Sequence, residues 1–212
     1  MQKTDRLLPI LTGQPVIPVV AVDSVEEGVN LARALAKGGL KAIEVTLRTD
    51  AALEAIEAIT VDVPEAICGA GTILKPADYA NAVKAGAKFI VSPGATVELL
   101  DTAKKSEIPF LPGSSTPSEL LAMIQEGYGV LKFFPAEQSG GMAYLKSLAP
   151  VFQNVKFCPT GGVSLENAPD YLALPNVVCV GGSWVAPKTL IKDGAWDEIT
   201  RIAQEAAQLS AS

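Results

Sequence analysis

The chain has 212 residues, 49% of them hydrophobic and 19% charged, with 18 glycines and 15 prolines, a composition that fits a compact globular protein and excludes a disordered or low-complexity one. Its 17 basic and 23 acidic residues give a formal charge of −6, and no dense Lys/Arg run exists to follow a phosphate backbone, which argues against nucleic acid as a partner. There is no histidine, so Ser-His-Asp triads, Cys-His pairs, HExxH zinc sites and imidazole proton shuttles are excluded, and acid–base chemistry falls to Lys, Glu, Asp, Tyr or water.

The opening MQKTDRLLPILTG holds one short apolar run, expected as a short N-terminal helix, and lacks a small-residue cleavage pattern. No later segment approaches the roughly 18 to 20 uninterrupted apolar residues of a membrane span, which points to the cytoplasm and away from membranes. Runs rich in β-branched residues then recur at Val16–Val22, Ala42–Arg48, Ala66–Thr72, Phe89–Gly94, Pro109–Ser114, Val130–Ala136, Val155–Gly161 and Val177–Ser183. Between them apolar residues fall at helical spacing over Val25–Lys37, Ala51–Ile59, Pro76–Ala85, Thr96–Lys105 and Pro117–Glu126. Ser24 with Glu27 and Thr116 with Glu119 read as capping boxes, and Pro117 suits a first helical position. Gly38-Gly39, Gly86 and Gly127 stand where a left-handed residue ends a helix.

Strands alternating with helices, and too apolar to face water on either side, imply parallel strands joined by helical crossovers. Eight such units in so short a chain fit one (β/α)8 (TIM) barrel domain over residues 1–212. An open doubly wound sheet is the alternative, but its best local signal, Gly69-Ala-Gly-Thr-Ile-Leu74, puts Leu74 at the third glycine of the GxGxxG pattern. The three cysteines, Cys68, Cys158 and Cys179, sit alone in apolar runs and are expected as reduced core thiols.

Two strands break the apolar rule. In Ile43-Glu-Val-Thr-Leu-Arg48 the side chains alternate, so Glu44, Thr46 and Arg48 share one face. The outer face of a barrel strand packs on helices, so that polar trio points inward, with Arg48 nearest the C-terminal mouth. The same rule turns Lys132 of Val130-Leu-Lys-Phe-Phe134 inward and Leu131 and Phe133 outward. A Lys132–Glu44 pair there is either a structural ion pair, a weak source of stability, or a reactive amine with its proton carrier. In the second reading desolvation and Arg48 favour the neutral amine that attacks a carbonyl, and Glu44 opposes them. Lys156 is the rival lysine, at the start of its run and hence at the barrel's N-terminal face, where residues usually serve stability.

Thr160-Gly-Gly-Val-Ser164 and Val180-Gly-Gly-Ser-Trp184 end the last two runs. Loops at those barrel positions often hold a phosphate through backbone N–H groups and a helix N-terminus. Ser183 supplies a hydroxyl, and Ser164 is expected to cap the helix that follows.

Glu44-Val-Thr-Leu-Arg-Thr49, Gly69-Ala-Gly-Thr72, Ser92-Pro-Gly94, Leu131-Lys-Phe-Phe-Pro-Ala136, Cys158-Pro-Thr-Gly-Gly162 and Gly181-Gly-Ser-Trp184, taken in order, closely resemble the 2-keto-3-deoxy-6-phosphogluconate (KDPG) aldolase family, whose members also act on 4-hydroxy-2-oxoglutarate (KHG). The resemblance implies a class I, Schiff-base aldolase in a (β/α)8 barrel, commonly a trimer. Such an enzyme uses neither metal nor cofactor and cleaves the phosphorylated keto acid to pyruvate and D-glyceraldehyde 3-phosphate. On matching positions it makes Lys132 the Schiff-base lysine and Glu44 the general base. Arg48 and Thr72 become the binders of the pyruvate carboxylate, and Pro93, Phe134 and Thr160 the pyruvate pocket. Gly161, Gly162, Gly181, Gly182 and Ser183 become the phosphate cradle. A phosphogalactonate aldolase of the same architecture, a barrel isomerase or decarboxylase acting on a sugar phosphate, and a non-catalytic phosphosugar-binding barrel are the alternatives.

Overall fold

The computed structural model describes residues 4–209. Its strands are β1 (Val16–Val20), β2 (Ala42–Thr46), β3 (Ile67–Gly71), β4 (Ile90–Val91), β5 (Phe110–Leu111), β6 (Gly113–Ser114), β7 (Val130–Phe133), β8 (Lys156–Pro159) and β9 (Val180–Gly182). All pairings are parallel: β5-β4-β3-β2-β1-β9 form one run and β6-β7-β8 another. Pro112 alone separates β5 from β6, and bridges Phe157↔Val177 and Thr160↔Gly181 join β8 to the segment of β9. The ring therefore closes over eight strand positions, a TIM-like α/β barrel, and the open-sheet alternative is excluded.

The helices are α1 (Thr4–Thr12), α2 (Val25–Lys37), α3 (Ala52–Asp62), α4 (Pro76–Lys84), α5 (Val97–Lys105), α6 (Pro117–Gln125), α7 (Gly141–Leu148), α8 (Ala168–Leu172), α9 (Lys188–Lys192) and α10 (Trp196–Ala207). None among the described residues is long and apolar enough to cross a membrane. Helix α2 covers the segment expected from its spacing, and α3 runs on to Asp62 where the sequence reading stopped at Ile59. At α6 the capping box forms in full: Glu119 Oε2 accepts the Thr116 N–H at 2.9 Å and Thr116 Oγ1 accepts the Glu119 N–H at 3.3 Å. At α2 only half of it forms, because Glu27 Oε1 takes the N–H of Asp23 at 2.9 Å instead of that of Ser24. Gly39, Gly86 and Gly127 adopt the expected left-handed conformation at helix ends, while Gly38 stays right-handed.

Two cores follow from period-2 alternation. Outward residues such as Ile43, Val45, Leu131, Phe133 and Phe157 pack against the helices. Inward residues Ile17, Ala42, Phe89, Val91, Leu111, Val130, Cys158 and Cys179 fill the barrel, and α1 closes its N-terminal end with Leu7 and Leu11. Those two leucines are 2% and 0% exposed, so each contributes roughly 1.5–3 kcal/mol of burial. The strands are shorter than the apolar runs implied. β2 stops at Thr46, β7 at Phe133, and only Val180–Gly182 of the last run is strand, because the ladder ends where side chains turn to line the mouth.

Candidate active site

β2 and β7 stand four positions apart in a ring of eight, so their inward side chains face each other across the barrel. Glu44 and Lys132 meet there. Lys132 Nζ donates to Glu44 Oε1 at 3.2 Å, and the two side chains are 6% and 3% exposed. The Phe134 ring centroid lies 5.3 Å from Nζ, within cation–π range. Removing either member of such a pair strands a buried charge at a cost of about 3–5 kcal/mol.

The carboxylate has room because β3 offers no side chain beneath it. A Cβ on Gly71 would stand 2.0 Å from Glu44 Oε1 and 2.5 Å from its Cγ. Thr46, one pleat above Glu44, is buried; its hydroxyl donates to the Val20 carbonyl at 2.8 Å and accepts from Arg48 Nε at 2.9 Å. Arg48 is not a strand residue, as the alternation assumed. Its N–H bonds the Thr46 carbonyl at 2.8 Å, turning the chain at the mouth, and its side chain curls back onto Thr46.

The neighbouring strand ends complete the rim. Thr72 follows β3 with φ of +61°, a left-handed conformation that costs a β-branched residue about 1–3 kcal/mol. Past β4, buried Ser92 donates its hydroxyl to the Ile73 carbonyl at 2.6 Å and so anchors the approach to Pro93. The Pro93 carbonyl lies over Gly113, the register partner of Lys132. Neither Thr72 nor Pro93 is hydrogen-bonded to Lys132 or Glu44 among the described residues. Thr160 is buried next to Gly181, where a Cβ would come within 2.2 Å of its Oγ1.

The two Gly-Gly pairs differ. Gly161 and Gly162 form a turn with φ of +101° and +78°. Gly181 and Gly182 lie in β9 and are small because Thr160 and the Trp184 ring pack on them. Among the described residues, no protein acceptor takes the N–H groups of Gly162, Val163, Ser183 or Trp184, so backbone donors remain free on both loops. Ser183 and Arg48 line one cavity of about 300 Å³ together with Val20 and Lys188. Ser164 does not cap the next helix: its N–H is taken at 2.8 Å by the Asn167 side chain, and Asn167 stands at the cap of α8.

Lys156 sits at the first residue of β8, at the other end of the barrel, with Nζ bonded to the Pro175 carbonyl at 2.6 Å. Sequence reasoning missed Glu137 and Tyr171, which meet under the Gly161–Gly162 turn. Their separation of 34 residues leaves no local signal. Ser92 carries a sequence signal only within the Ser92-Pro-Gly94 motif, and Thr46 only through the alternation that places it on the inward face.

Comparison with known proteins identifies the family. The family model for KDPG and KHG aldolase matches residues 8–202. The KHG/KDPG aldolase of Escherichia coli K12 is 49% identical over 199 residues, covering 94% of this chain and 93% of that protein. The crystal structure of KDPG aldolase from Legionella pneumophila, with pyruvate captured at low pH as a covalent carbinolamine intermediate, superposes with a TM-score of 0.93 at 44% identity, over 95% of this chain and 98% of that one. A native KDPGal structure is more distant, with a TM-score of 0.77 at 25% identity over 92% and 97% of the two chains. With a family match over nearly its full length and a barrel that superposes on a pyruvate-binding aldolase, this chain belongs to the KDPG and KHG aldolase family and is a lyase of the aldolase type.

Proposed function

We propose that the chain is a class I aldolase that cleaves KDPG to pyruvate and D-glyceraldehyde 3-phosphate, and KHG to pyruvate and glyoxylate. The observation that carries the reading is the Lys132–Glu44 contact of 3.2 Å, buried inside the barrel. Neutral Lys132 adds to the C2 ketone, giving a carbinolamine, whose hydroxyl takes up a proton relayed by Glu44 or water and leaves as water, giving a protonated imine. Glu44, directly or through water, takes the C4 hydroxyl proton. The C3–C4 pair then flows into the imine, which releases the aldehyde and leaves an enamine on Lys132. Glu44 returns that proton to C3, and water hydrolyses the protonated imine to free pyruvate and the amine, releasing the proton taken up when the imine formed. The imine is the electron sink, so no metal or cofactor is required.

Arg48 and Thr72 hold the carboxylate, and Pro93, Phe134 and Thr160 shape the pocket around the three-carbon fragment. Gly161, Gly162, Gly181, Gly182 and Ser183 receive the phosphate, a role supported by the free N–H groups of the two loops. We assign the chain to one barrel domain, working in the cytoplasm as a homotrimer; the ends of the expected span 1–212 lie outside the described residues 4–209. Exposed Leu121, Ile124 and Val151, grouped beside an apolar groove of about 750 Å³, support association. Sedimentation equilibrium should return three times the 22.0 kDa chain mass, and a monomer would remove the trimer.

Reductive trapping tests the chemistry. Pyruvate with borohydride should add mass to the peptide holding Lys132 and none to Lys132→Ala; a label on another lysine would reassign the nucleophile. The likeness to the KDPGal structure keeps the C4 epimer as a second substrate reading. Relative kcat/KM on the two epimers decides it, with the gluconate form expected to lead on the Leu47-Arg48-Thr49 resemblance.

A further inference from the structure

Under the proposed phosphate turn lies a carboxylate. Glu137 follows β7, and its backbone N–H bonds the Gly161 carbonyl at 3.1 Å while that of Ala136 bonds the Thr160 carbonyl at 2.8 Å. Its side chain is packed directly on the turn: a Cβ at Gly162 would sit 2.5 Å from Glu137 Cγ and 2.7 Å from its Cβ. Glu137 is exposed to solvent, so burial does not restrain its head group. A carboxylate whose stem packs on the turn is an internal anion beside free backbone N–H groups, and left unrestrained it would rival any phosphate seeking the same donors.

Among the described residues, one side chain restrains it by a hydrogen bond. The Tyr171 hydroxyl, carried on α8 with its residue fully buried, donates to Glu137 Oε1. Tyr171 Oη and Glu137 Oε1 also crowd Gly141, where a Cβ would come within 3.2 and 3.3 Å of them, so the bonded pair is packed against the start of α7. Burial, and then the bond to and charge of Glu137, push the Tyr171 phenol above its ordinary range, which keeps it a donor throughout the neutral region. Asn167 Nδ2 also ties down the Gly162 carbonyl at 3.2 Å, which fixes the peptide that carries the free Val163 N–H.

We infer that Tyr171 is a positioning residue for phosphate-bearing substrates: its hydroxyl holds the Glu137 carboxylate off the Gly161–Gly162 turn, so that the turn's donors stay available to a substrate phosphate. The inference rests on the reading of that turn as the phosphate site. It makes Tyr171 a determinant of phosphorylated over unphosphorylated keto acids, although it touches neither.

The test is a double-mutant cycle read on two substrates. Tyr171→Phe should raise KM for KDPG roughly three- to tenfold, the scale of one misplaced charge near the phosphate. It should leave kcat on KDPG, and both constants on unphosphorylated KHG, close to the parent. Adding Glu137→Gln to Tyr171→Phe removes the rival charge and should restore most of the lost KM, whereas damage to the fold would not be repaired. Ser183→Ala serves as the reference for the phosphate site and should raise KM for KDPG. If it does and Tyr171→Phe does not, or if Tyr171→Phe harms both substrates alike without rescue, the inference falls alone. If neither variant discriminates between the substrates, the phosphate reading falls and takes the inference with it.

Discussion

Adding one methyl group at Gly71 should separate the reactive pair without touching either member. In Gly71→Ala the new Cβ would stand 2.0 Å from Glu44 Oε1, 2.5 Å from Cγ and 2.6 Å from Cδ. Moving the carboxylate tip does not relieve a clash that reaches Cγ, so the whole side chain has to rotate. Glu44 is 2% exposed and cannot swing into water, and rotation draws the oxygen away from its 3.2 Å contact with Lys132. Overpacking costs about 1–3 kcal/mol, and weakening the buried pair adds part of the 3–5 kcal/mol that full removal of one partner costs. A net loss of about 2–5 kcal/mol corresponds, for a chain of this size, to a fall in Tm of roughly 5–20 °C.

Turnover should drop by about 10²–10⁴, the range for a displaced general base, measured as pyruvate release coupled to lactate dehydrogenase below the new Tm. Reductive trapping of pyruvate should survive, since Lys132 is untouched. A Gly71→Ala enzyme with parental kcat and Tm would refute the premise that Glu44 is held in place by the absence of a side chain on β3.

Two further variants probe the same pocket. Glu44→Gln should still bind pyruvate but lose about 10²–10⁴ in turnover, and near-normal turnover by the coupled assay would end its role as proton carrier. Arg48→Ala should raise KM for KDPG and KHG together by roughly tenfold or more, as expected for a lost charge-assisted contact to a shared carboxylate; unchanged constants for both would reassign that contact.

How much of this was legible depends on the range of the physics involved. Alternation along Ile43–Arg48 and Val130–Phe134 gave the inward faces of Glu44 and Lys132, because side-chain direction in a strand is local. That they touch, 88 residues apart, follows from ring closure, which the sequence implies only through the count of strand–helix units. The same alternation puts Arg48 at the mouth, where its side chain bonds Thr46, but it carries the strand too far, because β2 ends at Thr46 where the chain turns back on its own carbonyl. The paired Gly-Gly signals looked equivalent, yet only Gly161–Gly162 adopts positive φ, while Gly181–Gly182 answers to the bulk of Thr160 and Trp184. Glu137 and Tyr171 lie in loop and helix contexts that carry no periodic signal, and their meeting is purely tertiary.

The boundary of the apolar plug bears on whether the buried pair is structural or catalytic. Ala42 and Val130 belong to the barrel's interior core, sealed from below by Leu7 and Leu11. Two residues on, about 6.6 Å along each strand, the same faces become Glu44 and Lys132, and two residues beyond Glu44 comes Thr46, to which Arg48 at the mouth is bonded. The pair thus sits on the upper surface of a dry floor and under a polar rim. A purely structural ion pair gains nothing from that level, since a pair of apolar residues would extend the plug at no desolvation cost. A reactive amine does gain from it. Apolar packing below limits its hydration, while the rim admits a ketone from above, and the carboxylate beside it stays close enough to move the protons that imine chemistry demands.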